Sequence, residues 1–493
     1  MDYLPLIPPL VALILILWTR KAARSLGAAV IVGVFLIHRE ELTGAFPALF
    51  LDHLFPIFDS SWNQSAIIFT LTLGAFATIL EKGGGFTAML NRLLASKSAH
   101  PEKRLLLGIY GLGLLCFFDG LANAVLLGRI SRPMTDALKI SRQFLAYLID
   151  STAACVACVA FISTWIATQL SLIGEGLKGS EIETSPVSLF FSSIPANPYC
   201  LLTLLLIPLA IAKSWQPGPM KDAQPVAPEK EAHLNSSGFK ARNALIPLAA
   251  LVISLPGLIY LMQGGDERSW KNAFTSDQVP FAMIYSGFFA LFVACLCFPT
   301  NRKKELATHL LKGAASLVPA LLILICAWSL GTVFSKLGTA QLISDALNQN
   351  VSLSYFPLAV FLIGAVMSFL TGTSWGTMGL LMPLVVPAAL TLGRDSGMDA
   401  EELTAILPLV IGAVFGGAVF GDHCSPFSDT TIVSAMAAGC TPTSHVLTQL
   451  PYALTTAAGA TIAYLLMAFS ISAWLATLIT AALLSALVLS RKT

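Results

Sequence analysis

Apolar stretches long enough to cross a bilayer recur along this chain at residues 4–19, 25–37, 65–80, 187–212, 244–263, 279–299, 313–335, 451–469 and 472–489. The hydrocarbon core needs about 20 apolar residues of helix, so each predicts one crossing, the second being short. Four further regions, 105–128, 143–174, 353–392 and 404–440, are as apolar but are interrupted by glycine, proline, hydroxyl and acidic residues. Broken backbone at membrane depth is tolerated only inside protein or beside a cavity. The pattern therefore predicts re-entrant hairpins at 105–141 and 353–393 and helices broken in mid-crossing in the other two regions. The fold class is an all-α polytopic membrane protein.

Composition agrees. Of 493 residues, 56% are hydrophobic and 11% charged, more apolar than a soluble domain of this size requires. A net charge of +2 gives a nucleic-acid partner no electrostatic support. Met1-Asp2 leads straight into an apolar segment with no basic start and no clear small-residue cleavage site, which predicts a retained first span. The nine cysteines lie almost entirely in apolar segments and read as small hydrophobes. Cys155 and Cys158 form a Cys-x-x-Cys without the second ligand pair of a metal site.

Charge sets the orientation. With the first loop cytoplasmic and both hairpins returning to their own side, 23 of the 29 basic residues fall in cytoplasmic loops. Arg39, Lys178, Arg268, Lys271, Lys336 and Arg394 remain outside, as the positive-inside rule asks. This predicts the N-terminus outside and the C-terminus cytoplasmic. It also gives two halves of the same order and opposite direction: three spans, a hairpin, a broken helix and a further span. The expected organisation is a first membrane repeat at 1–212, a polar cytoplasmic linker at 213–243, an inverted second repeat at 244–470, and an extra span with a tail at 471–493. Inverted repeats whose discontinuous helices meet at mid-membrane are a plan of secondary transporters.

Of the 27 acidic residues, four stay within the membrane: Asp119, Asp150, Asp422 and Asp429. Asp119 lies inside the first hairpin. Asp150 opens Asp-Ser-Thr-Ala-Ala, which is expected at the break of the first broken helix. Asp422 and Asp429 flank Pro426 in Asp-His-Cys-Ser-Pro-Phe-Ser-Asp-Thr-Thr, residues 422–431, where proline forbids a continuous helix. Ionisable groups at this depth mark ion or proton paths. The second hairpin has no acid but carries Thr371-Gly-Thr-Ser-Trp-Gly-Thr377, suited to a tight tip lining a polar cavity. Plainer roles also exist. Asp150 would cap a helix N-terminus, Asp119 would pair with Arg129, and the hydroxyl-rich tip would serve helix packing. His423 and Cys424 are adjacent on a helix and point about 100° apart, so they make a poor base and nucleophile.

At these motifs the chain resembles the NhaC family of sodium/proton antiporters. The stretch from Gly421 to Thr431 matches the family signature almost residue for residue. Thr371 to Thr377, Asp150 to Ala154 and Ile162-Ser163-Thr164-Trp165-Ile166 match further motifs, and the likeness covers roughly 60–470. The family usually has two adjacent aspartates and Tyr-Ala-Asn at the first hairpin, where this chain has Asp119, Gly120, Leu121, Ala122 and Asn123. It also tends to place prolines where Cys155 and Phe161 stand here. The resemblance implies a bacterial-type inner-membrane secondary transporter, an elevator-like moving domain and a homodimer.

The expected activity is exchange of Na+ for H+ with no cofactor. Asp422 and Asp429 hold Na+ or H+, with Ser425, Ser428 and Thr430 as oxygen ligands and Asp150 and Ser151 contributing from the facing broken helix. Asp119, Asn123, Thr371, Thr373, Ser374 and Thr377 belong to the hairpins that close the site. The alternative is sodium-coupled transport of a small organic solute, such as an amino acid, malate or lactate. A channel and a membrane enzyme are less favoured, since no catalytic constellation stands out.

Overall fold

The computed structural model describes residues 3–19, 21–95, 100–180, 182, 184–226, 239–263, 269–270, 273, 276–339, 341–342 and 352–490. Much of the linker, including Pro228 and Lys230, lies outside these, as do Arg20, Lys97, Arg268, Lys271, Arg491 and Lys492 of the charge count. All regular structure among the described residues is helical. The first half holds α1 (Ile7–Thr19), α2 (Ala22–Ile37), α3 (Leu42–Ala48), α4 (Ser61–Lys82), α5 (Gly85–Ala95), α6 (Pro101–Leu115), α7 (Gly120–Ala137), α8 (Arg142–Val159), α9 (Thr164–Leu177), α10 (Pro186–Ser193) and α11 (Pro198–Lys213). The second holds α12 (Arg242–Met262), α13 (Val279–Cys297), α14 (Leu306–Ser316), α15 (Val318–Leu337), α16 (Phe356–Thr371), α17 (Ser374–Asp395), α18 (Ala400–Cys424), α19 (Asp429–Ala438), α20 (Pro442–Ala468) and α21 (Ala473–Leu489).

Nine helical segments among the described residues are long and apolar enough to cross a membrane, and the α8–α9 pair, bent by 46°, makes a tenth if taken as one span. Four of the interruptions fall in the regions where the sequence breaks its apolar pattern. Residues 116–119 separate α6 from α7, 160–163 separate α8 from α9, Gly372 and Thr373 separate α16 from α17, and 425–428 separate α18 from α19. Gly372 takes φ +66°, the left-handed conformation that ends a helix abruptly.

Three expectations need correction. Asp150 sits in the middle of α8, eight residues after its start at Arg142, and neither opens a break nor caps a helix. The apolar stretch 187–212 is two helices, α10 and α11, with Asn197 capping the second through Cys200 N. The stretch 451–469 belongs to a longer helix that starts at Pro442 behind a Thr441 cap, so residues 442–450 are helix rather than loop.

Packing exchanges elements between the halves. The second arm of the first hairpin, α7, lies against α19, and α17 of the second hairpin lies against α9. Apolar helices gain little from burial against one another in lipid, so small residues that permit close approach decide such contacts. The tightest is α16 on α18. A Cβ at Gly417 would run into the Phe361 carbonyl, and one at Gly421 would meet the Ala365 carbonyl, Phe369 N at 2.5 Å and Ser368 Cβ at 2.6 Å. These glycines fix the end of α18 that carries Asp422. Gly421→Leu is therefore expected to destabilise the fold by about 1–3 kcal/mol or more through overpacking. Gly111→Ala, at a glycine with open space around it, should leave the unfolding midpoint in detergent unchanged or slightly raised.

Candidate functional site

Four helices start inside the protein, and each start is capped by a side chain. Asp119 Oδ1 accepts from Ala122 N at 2.6 Å and caps α7. Ser163 Oγ accepts from Trp165 N and Ile166 N, both at 3.2 Å, and caps α9. Thr373 Oγ1 accepts from Gly376 N at 3.1 Å and caps α17. Ser428 Oγ accepts from Thr431 N at 3.4 Å and caps α19. Such caps satisfy N–H groups that no membrane water reaches.

All four starts border one cavity of about 200 Å³, lined by Asp119, Thr164, Trp165, Thr373, Ser374, Trp375, Asp429 and Thr430, with the α14–α15 junction along one side. Asp429 is the exposed carboxylate of the set. Asp119 also accepts from Thr164 Oγ1 at 3.0 Å, which ties the first hairpin to the break of α8–α9. Its partners are thus Ala122 and Thr164 rather than Arg129. Trp165 and Trp375 meet edge to face with ring centroids 5.9 Å apart.

Asp422 stands beside this cavity in the last turn of α18, buried to 1% exposure. Ser428 Oγ donates to its Oδ1 and Thr430 Oγ1 to its Oδ2, both at 2.6 Å. The two hydroxyls are themselves 2.9 Å apart. One carboxylate and two hydroxyls grouped at a helix break are hard oxygen donors, the kind a small cation takes. A helix C-terminus carries partial negative charge, so a cation is favoured beside Asp422. Asp119 and Asp429 instead occupy helix N-termini, where the dipole supports an anion.

Asp150 belongs to a second cluster behind the first. Its Oδ1 accepts from Ser434 Oγ at 3.1 Å. Its Oδ2 accepts from Gln449 Nε2 at 2.7 Å and Thr431 Oγ1 at 3.4 Å, and lies 3.2 Å from His445 Nε2. Gln449 Nε2 also donates to the His423 carbonyl at 2.9 Å, and Tyr199 OH lies 2.8 Å from His423 Nδ1. Thr431 joins the clusters, since its hydroxyl is also 3.1 Å from the Asp422 carbonyl.

The expected residues thus divide. Asp119, Thr373, Ser374, Asp429 and Thr430 share the cavity, with Asp422 and Ser428 next to it. Asn123 instead binds the two arms of the first hairpin, donating to the Gly113 carbonyl at 2.9 Å. Thr371 and Thr377 donate to carbonyls of their own hairpin, of Ser368 and Thr373. Ser425 Oγ accepts from Phe427 N in the turn, and Ser151 is buried without a hydrogen bond to any of the four aspartates among the described residues. Thr164, Trp165, Thr431, Ser434, His445 and Gln449 were not among the expected site residues. His445 and Gln449 are four apart on α20, so they share a face. That spacing was the signal, and it is hidden when 442–450 is read as loop.

Asp136 and Glu175, counted among acids at span ends, are also buried. Asp136 holds Arg142 in a two-point ion pair of 3.2 and 2.9 Å, and Arg142 Nη1 reaches the Gly439 carbonyl at the end of α19 at 3.3 Å.

Multiple apolar helices, interrupted helices whose starts border one cavity and buried acids at the breaks define a multi-pass membrane transporter. The chain belongs to the Na+/H+ antiporter family, whose sequence profile matches residues 156–469, as the NhaC-like motifs imply. An uncharacterised protein of Haemophilus influenzae is 29% identical over 95% of this chain and 91% of its own length. Two local likenesses are each 34% identical. One is to the malate-2H(+)/Na(+)-lactate antiporter of Bacillus subtilis, over 30% of this chain and 29% of that one. The other is to an uncharacterised Na(+)/H(+) antiporter of H. influenzae, over 27% and 26%. Among solved structures, the fold is similar to the YdaH transporter of Alcanivorax borkumensis, with TM-score 0.59, 16% identity and coverage of 87% of this chain and 90% of that one. It is also similar to MtrF of Neisseria gonorrhoeae, with TM-score 0.51, 13% identity and coverage of 91% and 85%.

The Asp150 cluster gives a direct test. Gln449→Leu removes donors to Asp150 and to the His423 carbonyl. It should cost about 1–3 kcal/mol, the range for a buried acceptor left short of a partner, read as a lower unfolding midpoint of the purified protein. Gln224→Leu, at an exposed glutamine whose one bond among the described residues is to Asp222 O, should leave the midpoint in place.

Proposed function

We propose that the chain exchanges Na+ for H+ across a bacterial-type inner membrane, with the Asp422 carboxylate as the shared site. The observation that carries this is the buried Asp422 at the α18–α19 break with Ser428 and Thr430 on its two oxygens. Burial favours the neutral form of a carboxyl, and a bound sodium ion favours the charged form. A proton and a sodium ion therefore compete for the same oxygens. If the protein changes its facing only when the site is filled, the two fluxes run in opposite directions. Ser428 and Thr430 serve both states: they donate to the bare carboxylate, and their lone pairs turn to a sodium ion when one is bound. Asp429 draws the ion from the cavity to the Asp422 oxygens. Asp150, with its several donors, is a fixed anion that supports the break rather than a sodium ligand.

The expected frame is two inverted repeats, 1–212 and 244–470, around the 213–243 linker, with the hairpins re-entrant, the N-terminus outside and the C-terminus cytoplasmic. The reciprocal packing of α7 on α19 and α17 on α9 supports it. An elevator-like movement and a homodimer follow from the family likeness alone.

A second reading is coupled transport of a small organic acid. Four helix N-termini facing one cavity of about 200 Å³ favour a carboxylate there. A local relative named as a malate-2H(+)/Na(+)-lactate antiporter agrees with that chemistry. Asp119 and Asp429 in the same cavity oppose a second anion, so the cation reading is preferred.

Purified protein in sealed liposomes with a trapped pH dye separates the two. Sodium added outside, with no organic solute present, should move lumenal pH. Asp422→Ala should abolish the signal, and Asp429→Asn should lower it by at least about tenfold, as loss of a charge-assisted contact does. Both variants should still insert in the membrane. A pH change seen only after malate or lactate is supplied would replace exchange with the second reading. Full activity of Asp422→Ala would sink the site assignment.

A further inference from the structure

Buried hydroxyls on helices ordinarily donate back to a carbonyl three or four residues earlier. Thr72, Thr152 and Thr448 of this chain do so. Thr168 of α9 and Thr70 of α4 do not: each is buried, at 3% and 0% exposure, and among the described residues its hydroxyl has no partner. The Trp328 indole N–H of α15 is likewise buried and has no partner among the described residues. These groups lie on three helices that pack on one another, α4, α9 and α15.

Their arrangement is directional. Thr164, Thr168, Ser171 and Glu175 are spaced by 4, 3 and 4 residues, which puts them on one face of α9. Thr164 lines the central cavity. At the other end the Glu175 side chain is 3% exposed and holds Lys178 at 2.6 Å, whose own side chain is 52% exposed. Asn63 of α4 donates to Glu175 Oε1 at 3.3 Å and accepts from Ser171 Oγ at 2.6 Å. Further along α4, Phe76 packs on Phe118, whose carbonyl accepts from Thr164 N. The two helices are therefore antiparallel, and Thr70 falls at the intermediate level, near that of Thr168. Gly331 of α15 closes the far side of Glu175, since a Cβ there would lie 3.8 Å from Oε2.

We propose that this face of α9, with α4 and α15, is the path by which a monovalent cation passes between the central cavity and the surface at Lys178, and that Glu175 is the first carboxylate an incoming ion meets. The proposal rests on the cation-exchange reading for its cargo. The unpartnered hydroxyls and indole N–H are groups that water or a hydrated ion satisfies when the path opens. Lys178 holds the Glu175 carboxylate between passages and lets go as a cation replaces it. A dry structural face would leave such groups bonded to backbone or replaced by apolar residues.

Two measurements test it. In the liposome assay, Glu175→Gln should raise half-saturating Na+ about tenfold while the maximal rate stays within about twofold, the pattern of lost binding rather than lost chemistry. Glu175→Asp should recover most of the affinity. An unchanged half-saturation, or a fall in rate and unfolding midpoint together, would overturn the role of Glu175. Separately, Thr168→Cys and Ser171→Cys would be treated with a small charged thiol reagent that does not cross membranes. The background would carry serine at the half-buried Cys295, Cys297, Cys326 and Cys440. Labelling above that background, slowed by added Na+, supports the path. Labelling that Na+ leaves unchanged removes the cation from it. An active variant that stays unlabelled at both positions overturns the path. Wild-type protein that moves no protons with sodium defeats the exchange reading on its own, and labelling still decides whether the path exists.

Discussion

The structure depends on how interrupted backbone is satisfied where there is no water. A helix that begins inside a membrane protein exposes N–H groups that must find partners within the fold. Here four such helices begin around one cavity, and Asp119, Ser163, Thr373 and Ser428 each supply an oxygen to their own first turn. The caps do more than end helices. Asp119 also takes the Thr164 hydroxyl, and Ser428 also donates to Asp422, so the groups that make the breaks tolerable are the groups that build the site. The cost of breaking a helix in lipid is thereby converted into a fixed polar lining.

Helix ends then sort the carboxylates. Asp119 and Asp429 sit at N-terminal ends, where partial positive charge supports an anion, and Asp422 sits in a last turn, where it does not. Asp150, in mid-helix, is held instead by Ser434, Thr431, Gln449 and His445. Four acids of the same chemistry therefore differ in what each needs. Asp422, buried in a last turn with the Ser428 and Thr430 hydroxyls on its oxygens, is the one whose helix end favours a cation beside it.

The breaks were legible in the sequence because proline, glycine and hydroxyl residues stand out against apolar surroundings. The break at Pro426 in 404–440 is present, at residues 425–428, and Asp422, Ser428 and Thr430 of the expected set are joined there by hydrogen bonds. Asp150 was misplaced because its motif resembles a helix start, while the true break, at 160–163, is marked only by Ser163 and Thr164. Glu175 and Asp136 were missed because linear hydropathy puts them at span ends, and only the packing of α4 on α9 and of Arg142 on α19 buries them. His445 and Gln449 were missed for the same reason: a polar first turn of a long helix reads as loop until a neighbouring helix covers it.

The short helix α19 is where these features become one mechanism. In ten residues it carries Asp429 and Thr430 into the cavity, Thr431 onto both the Asp422 carbonyl and Asp150, and Ser434 onto Asp150. Its far end is held through Gly439 by Arg142, which Asp136 of the first hairpin anchors. A ligand shifts a protein between states only by contacting them differently. In the proposed exchange a cation at Asp422 would change the partners of Ser428 and Thr430, the groups next to the contacts that α19 makes with Asp150 and Arg142. On the proposed exchange, occupancy at this break would reach the first half of the chain through the side chains of one short helix.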